Sequence, residues 1–222
     1  MKISSQAQVV GEVFPSYNQY DIKQEPMLFN CDYDHAHTYG SKITKRFLTS
    51  LPEGWSTDVV IDSRVHMLMP GWYPCIPGWH HDDVPRTRVD AQPNYLSGQD
   101  RSEHIILLLN GDICPTHFAV GESEHEIPAI GEKIYKQWNK EVDVLIKNKQ
   151  LELVKAETNR MYMFDDRTWH TGTAAVDGGW RFFIRVSRYF DAAGNRIARR
   201  NPRTNEVRKQ VQVYMNNLTE GW

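Results

Sequence analysis

The segment PGWHHDDVPR, residues 77 to 86, places two histidines directly before two aspartates. Imidazole nitrogens and carboxylate oxygens both bind divalent transition metals. In a strand, residues i and i+2 point to the same side, so the segment offers two pairs, His80 with Asp82 and His81 with Asp83. Either pair supplies only two ligands, so a stable metal site requires a third ligand from another part of the chain.

His170 is the best candidate for that third ligand, because it closes a strand-like run just before a turn of small residues. Two histidines and one carboxylate occupy one face of an octahedral Fe(II) ion and leave three positions open for a chelating co-substrate and dioxygen. Arg181 and Arg185 follow in the next strand-like run, and a guanidinium binds a carboxylate through two parallel hydrogen bonds. These residues together indicate non-haem iron chemistry on an acidic co-substrate.

The order His-x-Asp, distant His and late Arg resembles the pattern of the Fe(II)- and 2-oxoglutarate-dependent oxygenase superfamily. With Trp79, the WHHD segment is similar to the Trp-His-x-Asp of phytanoyl-CoA-hydroxylase-like members, and GGWRFFIRVS resembles the ending of prolyl-hydroxylase-like members. The resemblance covers the region from residue 60 to residue 190. The residues alone leave both ligand pairs open, whereas the resemblance at Trp79 favours His80 and Asp82.

The resemblance implies specific roles for these residues. His80, Asp82 and His170 would bind Fe(II), and Arg181 would bind 2-oxoglutarate, with Arg185 as an alternative or second contact. The implied reaction couples the decarboxylation of 2-oxoglutarate to succinate, with dioxygen as oxidant, to the hydroxylation of a C–H bond. The implied fold is a double-stranded β-helix, a cupin-like jelly-roll barrel with helices packed on one sheet.

The periodicity of the chain is compatible with that fold class, mainly β with flanking helices. Residues 41 to 51 and 130 to 148 have helical spacing of apolar residues. Six short segments rich in β-branched and aromatic residues predict strands: DVVIDSRVHMLM, HIILLLNG, THFAVG, LELVKAET, RMYMF and GWRFFIRVSRYF. The segment from residue 201 to 218 fits either a helix or a strand, and its opening Asn-Pro favours a helix.

Strand parity predicts where the two arginines point. Arg181, Phe183 and Arg185 share one face of their strand, and Phe182 lies on the other, apolar face with Ile184 and Val186. If the apolar face packs against helices, both arginines line the interior of the barrel.

Other polar clusters receive plainer interpretations. His35 and His37 near the N-terminus predict a polar loop or a lid, and residues 122 to 126 predict a solvated loop. His66, His104 and His117 lie in strand-like runs, where a core or hydrogen-bonded histidine is the commoner outcome.

Composition bounds the class of protein. The 222 residues suit one domain, 1–222, with a core from 60 to 190, an N-terminal segment 1–59 and a basic C-terminal extension 191–222. The net charge of -2 does not imply a nucleic-acid partner, although the basic extension does not exclude one. No apolar run is long enough for a membrane span and the start lacks a secretory signal, so a cytoplasmic location is expected. The three cysteines predict free thiols.

Two rival functions share the predicted barrel. A cupin-like metal enzyme without 2-oxoglutarate predicts that Arg181 and Arg185 face solvent. A non-enzymatic binding or structural jelly roll predicts surface histidines and no metal. The sequence carries no signature of the substrate, which is expected to be a small molecule or a peptide, or of the oligomeric state.

Overall fold

The computed structural model describes residues 1–96, 99–198 and 204–215. Among these residues strands dominate, and the helices are α1 (Gln19–Lys23), α2 (Tyr33–Tyr39), α3 (Lys42–Thr49) and α4 (Ile134–Lys147). The strands are β1 (Lys2–Ser5), β2 (Ala7–Val10), β3 (Met27–Phe29), β4 (Val59–Leu68), β5 (Arg101–Leu109), β6 (Thr116–Glu124), β7 (Glu152–Lys155), β8 (Met161–Asp165), β9 (Trp169–Gly172), β10 (Gly179–Phe190), β11 (Arg196–Ile197) and β12 (Glu206–Arg208).

The six segments predicted as strands form β4 to β8 and β10, and the two predicted helices form α3 and α4. Each helix buries the apolar stripe that its spacing predicts. In α3 the stripe contains Ile43 and Phe47, and in α4 it contains Ile134, Trp138 and Val142. These elements follow local sequence pattern because their apolar residues repeat with the period of the element that they form.

Strand β10 is the central strand of the larger sheet. It pairs antiparallel with β5 along one edge and with β4 along the other, and the sheet continues from β5 through β8 to β2. The smaller sheet is built around β6, which pairs antiparallel with β1, β7 and β9. Strand β9 of the smaller sheet carries His170, and β10 of the larger sheet carries both arginines.

The two faces of β10 meet different surroundings, as strand parity predicts. Phe182, Ile184 and Val186 pack in a core that includes buried residues of α1, α2 and α3. On the opposite face, Arg181 and Arg185 line a cavity together with residues of the smaller sheet. The cavity therefore lies between two antiparallel sheets, one of which has helices on its outer face. This arrangement confirms the predicted fold class, a mainly β, jelly-roll type of barrel with flanking helices.

The predicted C-terminal helix is wrong within the described residues. Residues 204 to 215 instead contain β12, which pairs with β3, and an isolated bridge between Tyr214 and Tyr73. Pairing with β3 gives the backbone hydrogen bonds that a helix would otherwise supply, so tertiary contact overrides a weak local preference. Residues 199–203 and 216–218, which include several of the basic residues of this extension, lie outside the described residues.

Two predicted loops are also wrong. His35 and His37 lie within α2, whose first turn is capped by the Asp32 carboxylate, which accepts a hydrogen bond from the His35 amide at 2.7 Å. Residues 122 to 124 belong to β6, and His125 is buried with its Nδ1 at 2.7 Å from a Glu141 carboxylate oxygen. A side-chain partner distant in sequence explains the burial of His125, and no local pattern reports such a partner.

The described residues include all three cysteines and the four helices. No disulfide forms, and Cys31, Cys75 and Cys114 are free thiols, as predicted. Within the same residues, no helix combines the length and the hydrophobicity that crossing a bilayer requires.

Candidate metal centre

The structure brings His80, Asp82 and His170 together. One potential ligand atom from each lies within 4.8 Å of the other two. The backbones of the two histidines form a reciprocal pair, in which the His80 amide donates to the His170 carbonyl at 3.1 Å and the His170 amide donates back at 3.2 Å. The two imidazole rings are therefore fixed beside each other, with centroids 4.4 Å apart. His80 lies in this isolated bridge and not in a regular strand, the setting in which the sequence analysis paired it with Asp82.

Hydrogen bonds at Nδ1 set the tautomer of both rings. His80 Nδ1 donates to the Gly78 carbonyl and His170 Nδ1 donates to the Thr168 carbonyl, each at 2.9 Å. The Nε2 atoms are therefore the unprotonated ring nitrogens, and they lie 3.9 Å and 3.4 Å from the two oxygens of Asp82. Metal-binding histidines commonly have this carbonyl partner on the second nitrogen, because it orients the ring and increases its basicity.

Gly78 is needed for this geometry. Its backbone has a φ of +112°, and a Cβ atom at this position would lie 2.8 Å from the Asn139 side chain. The same Asn139 accepts a hydrogen bond from the Trp79 amide. A side chain at residue 78 would displace the carbonyl that orients His80.

Burial, followed by the proximity of His170, lowers the pKa of His80 to about 3, so that its ring is neutral at physiological pH. For Asp82, burial favours the neutral acid, but Arg185 and His170 outweigh it and hold the pKa well below the usual range. His80 and Asp82 are therefore in the protonation states that metal binding requires, neutral imidazole and ionised carboxylate. The donor set, two nitrogens and one carboxylate oxygen, fits a facial triad for Fe(II).

Arg185 contacts the triad directly. Its Nη1 donates to Asp82, and its Nη2 lies 3.5 Å from the Asp62 carboxylate. Burial disfavours the charged guanidinium, but Asp82, Asp83 and Asp62 outweigh it and raise the pKa of Arg185 well above its ordinary value. Arg185 is therefore neutralised by neighbouring carboxylates. Its predicted role as a contact for the co-substrate stays a prediction.

Arg181 has a different environment, although it lies on the same face of the same strand. It is 2% exposed, and its contact with a polar side chain is the 3.4 Å approach of Nη2 to the Thr116 hydroxyl. Among the described residues its guanidinium forms no ion pair within 4.0 Å, and its Nε, like that of Arg185, has no hydrogen-bond partner. Burial lowers its pKa. A buried guanidinium without a carboxylate partner has the charge and the donors to pair with an anionic ligand.

Two cavities meet at the triad, and both are lined by His80 and Asp82. The first, of about 300 Å³, contains Arg181, Thr116 and His66, and we call it the arginine cavity. The second, of about 480 Å³, is lined by residues of the segment from 80 to 87 and by others, among them Asp100, Arg101, Tyr135 and Tyr189, and we call it the outer cavity. A metal at the triad would therefore be accessible from both sides.

The alternative pair of ligands lies elsewhere. His81 Nδ1 is 2.7 Å from the Tyr95 hydroxyl, and its ring stacks on Trp169 at 3.8 Å. Asp83 accepts a hydrogen bond from the Tyr189 hydroxyl at 2.8 Å. The described residues contain one group of three potential metal ligands, and it includes neither of these two side chains.

Sequence reasoning missed two residues of the arginine cavity, His66 and Thr116. His66 lies directly opposite Arg181 in the pairing of β4 with β10. Thr116 is the first residue of β6, in the other sheet. The register of β4 against β10 would have identified His66, but a single sequence does not specify which strands pair.

Comparisons with known proteins give distant structural matches. No family model and no curated protein matches the chain. EvdO2 from Micromonospora carbonacea var. aurantiaca, complexed with 2-oxoglutarate, is similar with a TM-score of 0.35 and 10% identity over 68% of this chain and 58% of EvdO2. An N-substituted L-amino acid dioxygenase from Burkholderia ambifaria AMMD is similar with a TM-score of 0.33 and 10% identity over 68% of this chain and 59% of that enzyme. The chain thus matches less than two thirds of the length of either protein.

The geometry of the triad gives stronger evidence than these distant matches. Its residues occur in the order and spacing that the sequence analysis singled out, His80 and Asp82 from one loop and His170 from a distant strand. This group fits the His-x-Asp…His motif of Fe(II)- and 2-oxoglutarate-dependent oxygenases, so the resemblance predicted from the sequence is confirmed by the structure.

Proposed function

We propose that this protein is an Fe(II)- and 2-oxoglutarate-dependent dioxygenase that hydroxylates a C–H bond of its substrate. The observation that carries the proposal is the buried guanidinium of Arg181, which has no carboxylate partner among the described residues and lines the same cavity as the triad. A metal site alone is compatible with many reactions. An anion site beside it favours a co-substrate that bears a carboxylate.

His80, Asp82 and His170 would hold the iron through His80 Nε2, one carboxylate oxygen and His170 Nε2. Bound Fe(II) and 2-oxoglutarate supply the activation of dioxygen, with release of succinate and carbon dioxide and oxidation of the substrate. The residues of the chain contribute the placement of these groups. The carbonyls of Gly78 and Thr168 hold the two imidazoles in the tautomer that presents Nε2.

Arg181 would bind the second carboxylate of 2-oxoglutarate, the one that does not chelate the metal. The guanidinium lacks a carboxylate partner within the described chain, so binding replaces an uncompensated charge with an ion pair. The Thr116 hydroxyl, 3.4 Å from Arg181, is placed to donate to the same carboxylate. Because Arg181 is 2% exposed, this pair would be stronger than the same pair on the surface.

Arg185 would act on the metal ligand rather than on the co-substrate. It hydrogen-bonds Asp82 Oδ2, which leaves Oδ1 on the side of His80. Holding one oxygen would keep Asp82 monodentate and leave the remaining positions of the metal open.

The substrate would enter through the outer cavity, which is lined by His80 and Asp82 but not by Arg181. Its volume of about 480 Å³ suits a small molecule or the side chain of a peptide. The net charge of -2 gives no general attraction for nucleic acid, so a small-molecule or peptide substrate is the proposal.

The rival functions make expectations that differ from these observations. A cupin-like enzyme without 2-oxoglutarate predicts solvent-facing arginines, but Arg181 is 2% exposed. A binding or structural jelly roll predicts surface histidines, but His80 and His170 are 6% and 7% exposed. Both observations favour the oxygenase.

The test is formation of succinate from 2-oxoglutarate by the iron-loaded protein with ascorbate in air, screened against pools of metabolites and peptides. We expect slow succinate formation without substrate and a marked increase in the pool that contains the substrate. In parallel, adding 2-oxoglutarate to the anaerobic iron-loaded protein should produce a visible absorption band. The His170→Ala protein is the matched control and should give neither signal. Wild-type protein that binds iron but shows neither succinate nor the band would contradict the proposal.

A further inference from the structure

His66 is a residue of the arginine cavity that lies beside Arg181. It lies on β4 directly opposite Arg181 of β10, and both side chains line the cavity. His66 is 2% exposed, so its ring is enclosed by protein.

The hydrogen bonding of His66 differs from that of a structural histidine in the same sheet. His104, which is fully buried, has Nδ1 2.8 Å from the Ser187 hydroxyl and Nε2 3.1 Å from the Ser102 hydroxyl. Neither ring nitrogen of His66 has a hydrogen bond of ordinary geometry to any described residue. Burial, Arg181 and Arg64 lower the pKa of His66, and a weak hydrogen bond to the Pro74 carbonyl, outside ordinary geometry, raises it by less. His66 thus carries polar atoms that a ligand can satisfy.

The charge state of His66 suits a donor beside a guanidinium. Burial, followed by Arg181 and Arg64, lowers the pKa of His66 to about 3. The ring is therefore neutral at physiological pH and does not repel Arg181. A neutral imidazole has one N–H donor, and the carboxylate that pairs with Arg181 accepts several hydrogen bonds.

We propose that His66 is a second binding residue for the co-substrate, donating its ring N–H to the same distal carboxylate that Arg181 binds. This inference rests on the proposed function, because it takes the anion to be the second carboxylate of 2-oxoglutarate. It makes His66 a specificity residue, which discriminates between dicarboxylic and monocarboxylic 2-oxo acids. Rejection of the monocarboxylic acid follows because the buried donors would be left without an acceptor.

The experiment compares two ligands of the same length on the anaerobic protein loaded with Fe(II). The ligands are 2-oxoglutarate and 2-oxopentanoate, which has a methyl group in place of the second carboxylate. Calorimetry measures their affinities for wild type, His66→Phe, which keeps a ring without donors, and His66→Gln, which keeps a donor. His117→Phe is the control, because His117 lies on β6 and does not line the cavity.

We expect His66→Phe to weaken 2-oxoglutarate binding by about tenfold, as for the loss of a hydrogen bond to a charged group. Binding of 2-oxopentanoate should change by less than about twofold, because that ligand lacks the acceptor. His66→Gln should recover part of the affinity for 2-oxoglutarate, and His117→Phe should match wild type for both ligands. The ratio of the two affinities is measured on one sample and does not depend on the fraction of folded protein.

An equal loss for both ligands, or no loss for either, would overturn the role of His66 and leave the proposed function standing. Failure of wild type to bind 2-oxoglutarate would overturn the proposed function itself. If neither variant folds, the ring nitrogens of His66 in the wild-type, zinc-loaded protein provide the readout by NMR. They should shift on addition of 2-oxoglutarate and much less with 2-oxopentanoate, and equal shifts would overturn the inference.

Discussion

Arg181 and Arg185 lie on the same face of β10 and both line the arginine cavity, yet their surroundings are opposite in charge. At Arg185 the strand passes Asp62 and Asp82, which neutralise the guanidinium. At Arg181 the strand passes His66 and Thr116, neither of which carries a negative charge at neutral pH. Among the described residues, carboxylates neutralise the charge of Arg185 at one end of this face, and none neutralises the charge of Arg181 at the other end.

This difference separates a structural contribution from a binding contribution. A buried ion pair that is complete within the protein is costly to break, because removing one partner leaves the other charge uncompensated. A buried cation without a partner already carries that cost in the free protein. Arg185 should therefore contribute to stability, and Arg181 should contribute to ligand binding at the expense of stability.

The largest expected effect is at the triad, the reference point for both arginines. His170→Ala should abolish tight Fe(II) binding, since it removes one of three ligands, an effect larger than the roughly 10- to 100-fold loss typical of outer contacts. His81→Ala should retain most of the binding, because His81 lies outside the triad. Metal analysis after desalting under anaerobic conditions measures both variants. Full iron binding by the His170 variant would contradict the triad as the metal site, and neither arginine would then be known to lie beside a metal.

The second effect is on stability. Arg185→Met should lower the free energy of unfolding of the metal-free protein by about 3–5 kcal/mol, because it leaves Asp62 and Asp82 without their cation. Urea denaturation, followed by tryptophan fluorescence, gives this value. A variant as stable as wild type would mean that the carboxylates find other partners, and the two ends of β10 would not differ.

The third effect is the converse at Arg181. Arg181→Met should unfold at the same urea concentration as wild type or a higher one, because it replaces an unpaired buried charge by an apolar chain of similar length. The same variant should bind Fe(II) normally but bind 2-oxoglutarate at least about tenfold more weakly. Arg181→Lys is the control that keeps the charge but loses the two-pronged contact. Destabilisation of the methionine variant as large as that at Arg185 would show that Arg181 has a structural partner.

The smallest effect is a pH dependence at the Arg185 end. Burial, followed by Arg185, lowers the pKa of His104 to about 4, so folded His104 stays neutral below pH 6.5 while the unfolded chain takes up a proton. Stability should therefore fall as the pH is lowered from about 6.5 to 4, by up to about 1.4 kcal/mol per pH unit from this group. His104→Gln, which keeps hydrogen-bonding capacity toward Ser102 and Ser187, should reduce that slope. Urea denaturation at pH 7, 6 and 5 measures it, and an unchanged slope would contradict the assignment.

The parts of the molecule that local pattern determines could be predicted from the sequence. Alternation along GWRFFIRVSRYF predicts that Arg181 and Arg185 share the interior face, and the structure has them there. The order of His80, Asp82 and His170 predicts a joint site, and the structure brings the three together. Both results depend on periods and motifs that are visible in one chain.

The parts that depend on pairing between distant segments could not be predicted. The partners of Arg185 include Asp62, which lies opposite it because β4 pairs with β10 in one particular register. The same register places His66 against Arg181. One sequence gives the alternation of a strand but not the identity of its neighbour, so the difference in charge between the two arginines emerges only from the fold.

The reciprocal backbone pair between His80 and His170 has a consequence for how the protein acquires its metal. The two residues are far apart along the chain, so their amides pair only where the fold has brought the two segments together. Metal ions then encounter an assembled site, and uptake should be limited by ligand exchange rather than by folding. The exchange of these two amide hydrogens with deuterium should report opening of the barrel, and bound metal should slow that exchange by raising the free energy of the opening.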